Sequence, residues 1–184
     1  MTTYYENTKN IIQELSDLLL KVDQKDVENY MNEVTKAKKI FFVGVGRVEL
    51  ALEATVKRFS HLGLNCYMVG ALDEPPIGDK DLLIVGSGSG ESLFPLGITN
   101  KAQKYGAKIV HLTSNPNSSI AQKADIIVRF ESPSKTHSNI KSIQPMTTVF
   151  EQGLLVFHDI LTLEFMQEMG LSFEDLKTRH ANLE

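Results

Sequence analysis

The sequence predicts a doubly wound α/β fold, a five-stranded parallel sheet flanked by helices, and three observations carry that expectation. Five short apolar runs, at 40–43, 65–69, 82–85, 108–112 and 126–130, are rich in Val, Ile, Leu or Phe and do not alternate strictly. Strands covered on both faces read this way. Stretches of helical spacing lie between the first four, most clearly at 49–62 and 93–105, as in repeated strand–helix–strand units. Gly63 and Gly106 follow those stretches, where a glycine closes a helix C-terminus.

The elements follow in order. Residues 3–22 carry Tyr4, Ile11, Ile12, Leu15, Leu18, Leu19 and Val22 at helical spacing with a wide apolar face. Asp23 or Asp26 can cap a second helix running to about Ala37. The strand and helix alternation then occupies 38–130. Residues 131–144 read as a loop rich in Ser, Lys and Thr, and long loops in compact domains are often functional. Pro145 suits the first turn of a helix over 146–169. The expected organisation is one domain over 1–184, with N-terminal helices at 1–37, the α/β core at 38–130, the loop, and C-terminal helices and tail at 145–184.

The 146–169 helix carries Val149, Phe150, Leu154, Leu155, Val156, Phe157, Ile160, Leu161, Leu163, Phe165 and Met166 around nearly its whole circumference. Such a helix is buried on most sides. A helix near the end of a small domain usually reaches that burial against another subunit, so a homo-oligomer is expected.

Composition narrows the function. A net charge of −4 with no Lys/Arg block argues against nucleic acid as a partner. No uncharged apolar run approaches the ~18 residues of a membrane span, and no secretory leader is legible; a cytoplasmic protein is expected. The single cysteine, Cys66, lies in an apolar stretch and reads as a buried, inert thiol. His61, His111, His137 and His158 read as structural, because they show no metal-ligand spacing. No metal and no organic cofactor are expected.

The most informative stretch is Leu82-Leu83-Ile84-Val85-Gly86-Ser87-Gly88-Ser89-Gly90-Glu91-Ser92. A buried strand runs into small hydroxyl residues and a helix follows. Ligands of open parallel sheets bind beyond the carboxyl ends of strands. Glycines admit close backbone approach, and a helix N-terminus offers unpaired N–H groups to an anion. Ser87, Ser89 and Ser92 add hydroxyl donors, so the stretch reads as a phosphate cradle. It is not a Walker loop, since no Gly-Lys-Ser/Thr follows. A second glycine turn, Gly44-Val45-Gly46-Arg47-Val48-Glu49, ends the first strand. It lacks the third glycine of a dinucleotide fingerprint, Glu49 standing there instead. Gly46 and Arg47 are candidates for contact with a phosphate or sugar hydroxyls.

Ser87-Gly88-Ser89-Gly90-Glu91-Ser92 resembles the phosphosugar loop of the sugar isomerase (SIS) domain, whose fold is a flavodoxin-like three-layer sandwich. The chain is also similar to the 6-phospho-3-hexuloisomerase family in Thr113-Ser114-Asn115-Pro116, in Ser142-Ile143-Gln144-Pro145-Met146 with Phe150-Glu151-Gln152, and in Arg179-His180-Ala181-Asn182-Leu183-Glu184. The resemblance implies conversion of arabino-3-hexulose 6-phosphate to fructose 6-phosphate without metal or cofactor. It implies an oligomer, commonly a tetramer with a dimer as the alternative, with active sites near subunit contacts. Ser87, Ser89 and Ser92 would hold the phosphate; Glu151 and His180 would be the acid/base candidates. The family's first turn resembles Gly-x-Gly-Arg-Ser-Gly, so Val48 and Glu49 remove a hydroxyl and add a carboxylate beside the expected sugar.

Moving the carbonyl from C3 to C2 requires a proton removed from C2 and one returned to C3 through an enediol, which one carboxylate within reach of both carbons can shuttle. His180 titrates in the range needed for oxygen-bound protons. On the sequence alone, Glu151 can also be an ordinary first-turn acid, and His180 a tail residue of no consequence. Two alternative functions stay open beside the isomerase: a non-catalytic sensor of a sugar phosphate, and the same chemistry on another sugar phosphate.

Overall fold

The computed structural model describes residues 2–133 and 140–183. Helix α1 (Tyr4–Leu19) begins in a capping box, in which the Thr3 hydroxyl accepts from the Glu6 N–H and the Glu6 carboxylate accepts from the Thr3 N–H. Helix α2 (Gln24–Lys36) is capped by Asp23. Strand β1 (Ile40–Val43), helix α3 (Arg47–His61) and strand β2 (Cys66–Met68) form the first crossover unit. Strand β3 (Leu82–Gly86), helix α4 (Leu93–Lys104) and strand β4 (Lys108–Thr113) form the second. A single 3-10 turn (Ala121–Lys123) leads into β5 (Ile126–Arg129). Helices α5 (Thr148–Glu168) and α6 (Phe173–Thr178) follow.

All strands pair in parallel, in the order β2-β1-β3-β4-β5. The five strands, their parallel sense and the flanking helices are as the apolar runs predict. The period of 2 along a strand sends alternate residues to opposite cores. Ile40, Phe42, Leu82, Ile84, Val110 and Leu112 join the core beneath α1, α2, α3 and α5. Phe41, Val43, Leu83, Val85 and Ile109 face the smaller core under α4. The chain leaves β1 across one face and β3 across the other, so the direction of winding reverses between them. That reversal opens a crevice at the carboxyl ends of β1 and β3.

Two sequence expectations need correction. Helix α5 begins at Thr148, with Thr147 as N-cap, so Pro145 lies before the helix and not in its first turn. Met146 between them has φ 58, the one positive φ of a non-glycine among the described residues; a left-handed turn there delays the helix. The apolar circumference of α5 is also covered mostly within the chain. Ten of its residues are buried, because α5 sits between α3 and α1 as well as over the sheet. Leu155, Ile160 and Leu163 are the large apolar side chains it leaves exposed.

The predicted loop 131–144 and His137 lie partly or wholly outside the described residues. Its described end is anchored: Glu14 of α1 accepts from the Ser142 hydroxyl (2.8 Å), the Ile143 N–H (2.8 Å) and the Gln144 side-chain amide (3.2 Å). Among the described residues, no helix is long and apolar enough to cross a membrane.

Candidate active site

The crevice between β1 and β3 holds a cavity of about 330 Å³, within the usual size of small-molecule sites. Its lining comes from three segments: Val45–Val48 after β1, the serine loop after β3, and the turn and first helical turn of α5 with Met146, Thr147, Phe150 and Glu151.

The segment after β1 depends on Gly46, whose φ of 62 and ψ of −132 make it the N-cap of α3. A side chain disfavours that backbone conformation. Arg47 then becomes the first residue of α3, at the mouth of the cavity. Val48 is buried and faces the floor; a Cβ on Gly86 would lie 2.8 Å from its Cγ1. Glu49 is not among the lining residues. The sequence departure therefore places an apolar methyl in the pocket, and the expected extra carboxylate beside the sugar is not there.

In the serine loop, Ser87, Gly88, Ser89 and Ser92 line the cavity, whereas Gly90 and Glu91 do not. Gly90 turns the loop at φ 67, and any Cβ on it would collide with Ser118. Its N–H donates to the Ser87 carbonyl and hydroxyl, both at 3.1 Å. Glu91 braces the loop from behind, accepting from the Ser119 N–H at 2.8 Å. Ser92 is the N-cap of α4 but makes no side-chain cap bond; its hydroxyl accepts instead from Ser87 (3.2 Å). Hydroxyls and the N-terminus of α4 thus converge on one end of the cavity, where a helix dipole favours an anion. Beneath the loop His111 is fully buried, with Nδ1 donating to the Val85 carbonyl. Desolvation lowers its pKa to about 4, so it stays neutral and structural.

Glu151 faces this loop from α5, and both its oxygens are engaged. Oε1 accepts from the Thr147 hydroxyl at 2.8 Å, and Oε2 pairs with Arg47 Nε. The Glu151 side chain is only 11% exposed, against 63% for Arg47. Of the sequence candidates, Gly46, Arg47, Ser87, Gly88, Ser89, Ser92 and Glu151 come together.

His180 does not join them within one chain. Its ring lies 5.1 Å from that of His61, in a separate cavity with Arg58, Asp159, Thr162 and Met166. Thr162 stands on the order of 17 Å along the axis of α5 from Glu151 at 1.5 Å rise per residue. The neighbouring Arg179 packs its guanidinium on Gly63 and donates to the His61 carbonyl at 3.1 Å, fixing the tail at the end of α3 away from the serine loop.

Sequence reasoning missed Thr147, Phe150 and Met146 as site residues. For Thr147 a signal existed: it stands four residues before Glu151, on the same side of a helix start.

A family model described as the SIS domain matches residues 33–157. The chain is 36% identical over 181 residues to a 3-hexulose-6-phosphate isomerase of Bacillus subtilis (strain 168), covering 97% of this chain and 98% of that one. It is 34% identical over 179 residues to a 3-hexulose-6-phosphate isomerase of Mycobacterium gastri, covering 97% and 90%. Among solved structures it is similar, with a TM-score of 0.86 and 28% identity over 97% of this chain and 99% of the other, to a hypothetical protein of Methanococcus jannaschii whose crystal structure infers a 3-hexulose-6-phosphate isomerase function. A parallel sheet with its serine loop at the switch point, a matching family model and these near-full-length relatives agree: the chain belongs to the SIS-domain family, alongside 3-hexulose-6-phosphate isomerases.

Proposed function

We propose that this protein is a 3-hexulose-6-phosphate isomerase, interconverting arabino-3-hexulose 6-phosphate and fructose 6-phosphate in the cytoplasm. One observation carries the reading: a single carboxylate, Glu151, stands in the pocket across from the serine loop. The loop hydroxyls and the N-terminus of α4 hold the phosphate, with Arg47 as a nearby cation. Anchoring the phosphate at one end leaves the carbon chain extending toward Glu151. Glu151 takes the C2 proton, the enediolate forms across C2 and C3, and the proton returns to C3, leaving the carbonyl at C2.

His180 acts on the oxygen-bound protons from a second copy of the chain, since its own Glu151 is out of reach. The exposed α5 side chains Leu155, Ile160 and Leu163, with Ile12 on the neighbouring α1, support a homo-oligomer, a tetramer by the family resemblance. Full activity at a monomeric mass in light scattering would overturn both statements.

The test is incubation with fructose 6-phosphate in heavy water, followed by NMR. Deuterium enters C3 of fructose 6-phosphate if the enediol spans C2 and C3. Label at C1 would instead establish 1,2-enediol chemistry. Thermal stabilisation by the sugar phosphate with no label at either carbon would make the protein a sensor. Glu151→Gln abolishes the C3 label, lowering the rate by about 100-fold or more, as loss of a general base does.

A further inference from the structure

We infer that Thr147 is the positioning residue for Glu151: it fixes Oε1 and leaves Oε2, the oxygen paired with Arg47, as the one that takes the substrate proton. The inference rests on the proposed role of Glu151 as base.

Thr147 is the N-cap of α5, yet its side chain makes no cap hydrogen bond. An N-cap threonine usually accepts from the N–H two or three residues on. Here the hydroxyl donates to Glu151 Oε1 at 2.8 Å, while the Thr147 carbonyl accepts the Glu151 N–H at 3.1 Å. The same residue therefore holds Glu151 at both backbone and side chain.

The segment before Thr147 is held just as firmly. Gln144 is buried and donates to Gln152 on α5 (3.1 Å) and to Glu14 on α1 (3.2 Å). Glu14 also takes the Ile143 N–H. The Pro145 carbonyl accepts from the Thr148 hydroxyl at 2.6 Å. Between these anchors Met146 occupies φ 58, a conformation that non-glycine residues adopt only when the surroundings impose it. The left-handed residue turns the chain into α5 so that Thr147 and Glu151 both line the pocket.

The two partners of Glu151 differ in kind. Thr147 has a short side chain and a backbone locked into a helix start. Arg47 has a long, 63% exposed side chain at the mouth of the cavity, and a cation on a flexible stem exchanges readily to an incoming phosphate or hydroxyl. Substrate entry thus draws Arg47 away from Oε2, while Oε1 keeps its hydrogen bond and the carboxylate plane stays aimed.

The experiment compares Thr147→Val, which keeps the shape but removes the hydroxyl, with Thr147→Ser, which restores it. Because no cap bond is lost, both variants melt within a few degrees of wild type. Thr147→Val lowers kcat about tenfold with KM within twofold, and Thr147→Ser recovers kcat to within threefold of wild type. Equal kcat in Thr147→Val and wild type, or failure of Thr147→Ser to recover, overturns the inference. If the valine variant does not fold, Thr147→Ser and Thr147→Asn decide: a serine variant as slow as the asparagine variant overturns it equally. Absence of C3 labelling by the wild type is the separate result that removes the base itself.

Discussion

Arg47, at the first turn of α3, and Glu151, at the first turn of α5, form an ion pair across the mouth of the pocket. The pair joins the crossover helix after β1 to a helix more than a hundred residues later in the chain. Arg47 is the more exposed partner, with most of its side chain open to solvent at the mouth of the pocket.

Replacing Arg47 with Met should therefore act mainly on binding. A charge-assisted hydrogen bond contributes roughly 1.5–3 kcal/mol, so KM for the sugar phosphate rises about tenfold or more. Arg47→Lys recovers part of this, because the charge remains but the planar fork is lost. Steady-state kinetics read both; unchanged KM in Arg47→Met would place Arg47 outside the binding step.

Gly90→Ala should dismantle the serine loop. The new methyl must share space with Ser118 at a backbone of φ 67. Left-handed strain of about 1–2 kcal/mol adds to overpacking of about 1–3 kcal/mol. The expected outcome is a destabilisation of a few kcal/mol in urea unfolding and loss of thermal stabilisation by fructose 6-phosphate. Ser118→Ala in the same chain does not rescue it fully, since the strain remains.

Glu14→Ala removes the acceptor shared by Ser142, Ile143 and Gln144. Hydrogen bonds to a charged group contribute roughly 1.5–3 kcal/mol, and stability falls by about 2 kcal/mol. Activity falls too, although Glu14 lies outside the pocket, because Met146 and Thr147 lose their anchor. A variant that loses stability but keeps wild-type kcat would separate the anchor from the site.

His158 gives a pH dependence. Its Nδ1 donates to the Leu154 carbonyl (2.7 Å), so Nε2 is free of hydrogen and accepts from the Tyr30 hydroxyl (3.0 Å). Phe42, Phe59 and Phe157 pack around the ring. Burial lowers its pKa to about 4, as it does for His111. The unfolded chain, with histidines near 6.5, binds protons that the fold excludes. Stability is thus fully present above pH 6.5 and is lost as pH falls toward 4, by about 2 kcal/mol per histidine at pH 5. Urea midpoints at pH 7 and 5 measure the loss. Imidazole resonances of both residues that titrate near pH 6.5 in the folded protein would contradict it.

Much of the architecture was legible because local chemistry writes it directly. Runs such as Leu82–Val85, short, partly β-branched and bounded by a glycine turn, read as strands with two covered faces, and the serine loop that follows announces an anion by composition and place. The start of α5 was misread because Pro145 is compatible with a first turn; nothing local reveals that Glu14, on α1, holds the preceding residues in another path. The covering of α5 was misjudged for a related reason. A count of apolar positions measures how much surface must be buried, and says nothing about whether α1 or another subunit buries it.

The amino-acid order alone determined the parallel sheet and the serine loop at the end of β3, since each depends on neighbours within a few residues, whereas Glu151 became the carboxylate worth testing through the family resemblance around Phe150-Glu151-Gln152. Only the tertiary structure decided that Glu151 meets Arg47, that Glu91 braces the loop from behind, and that His180 lies beside His61 at the far end of α5. Those are distances between segments far apart in the chain, set by how helices pack on the sheet and on each other, and no local spacing encodes them.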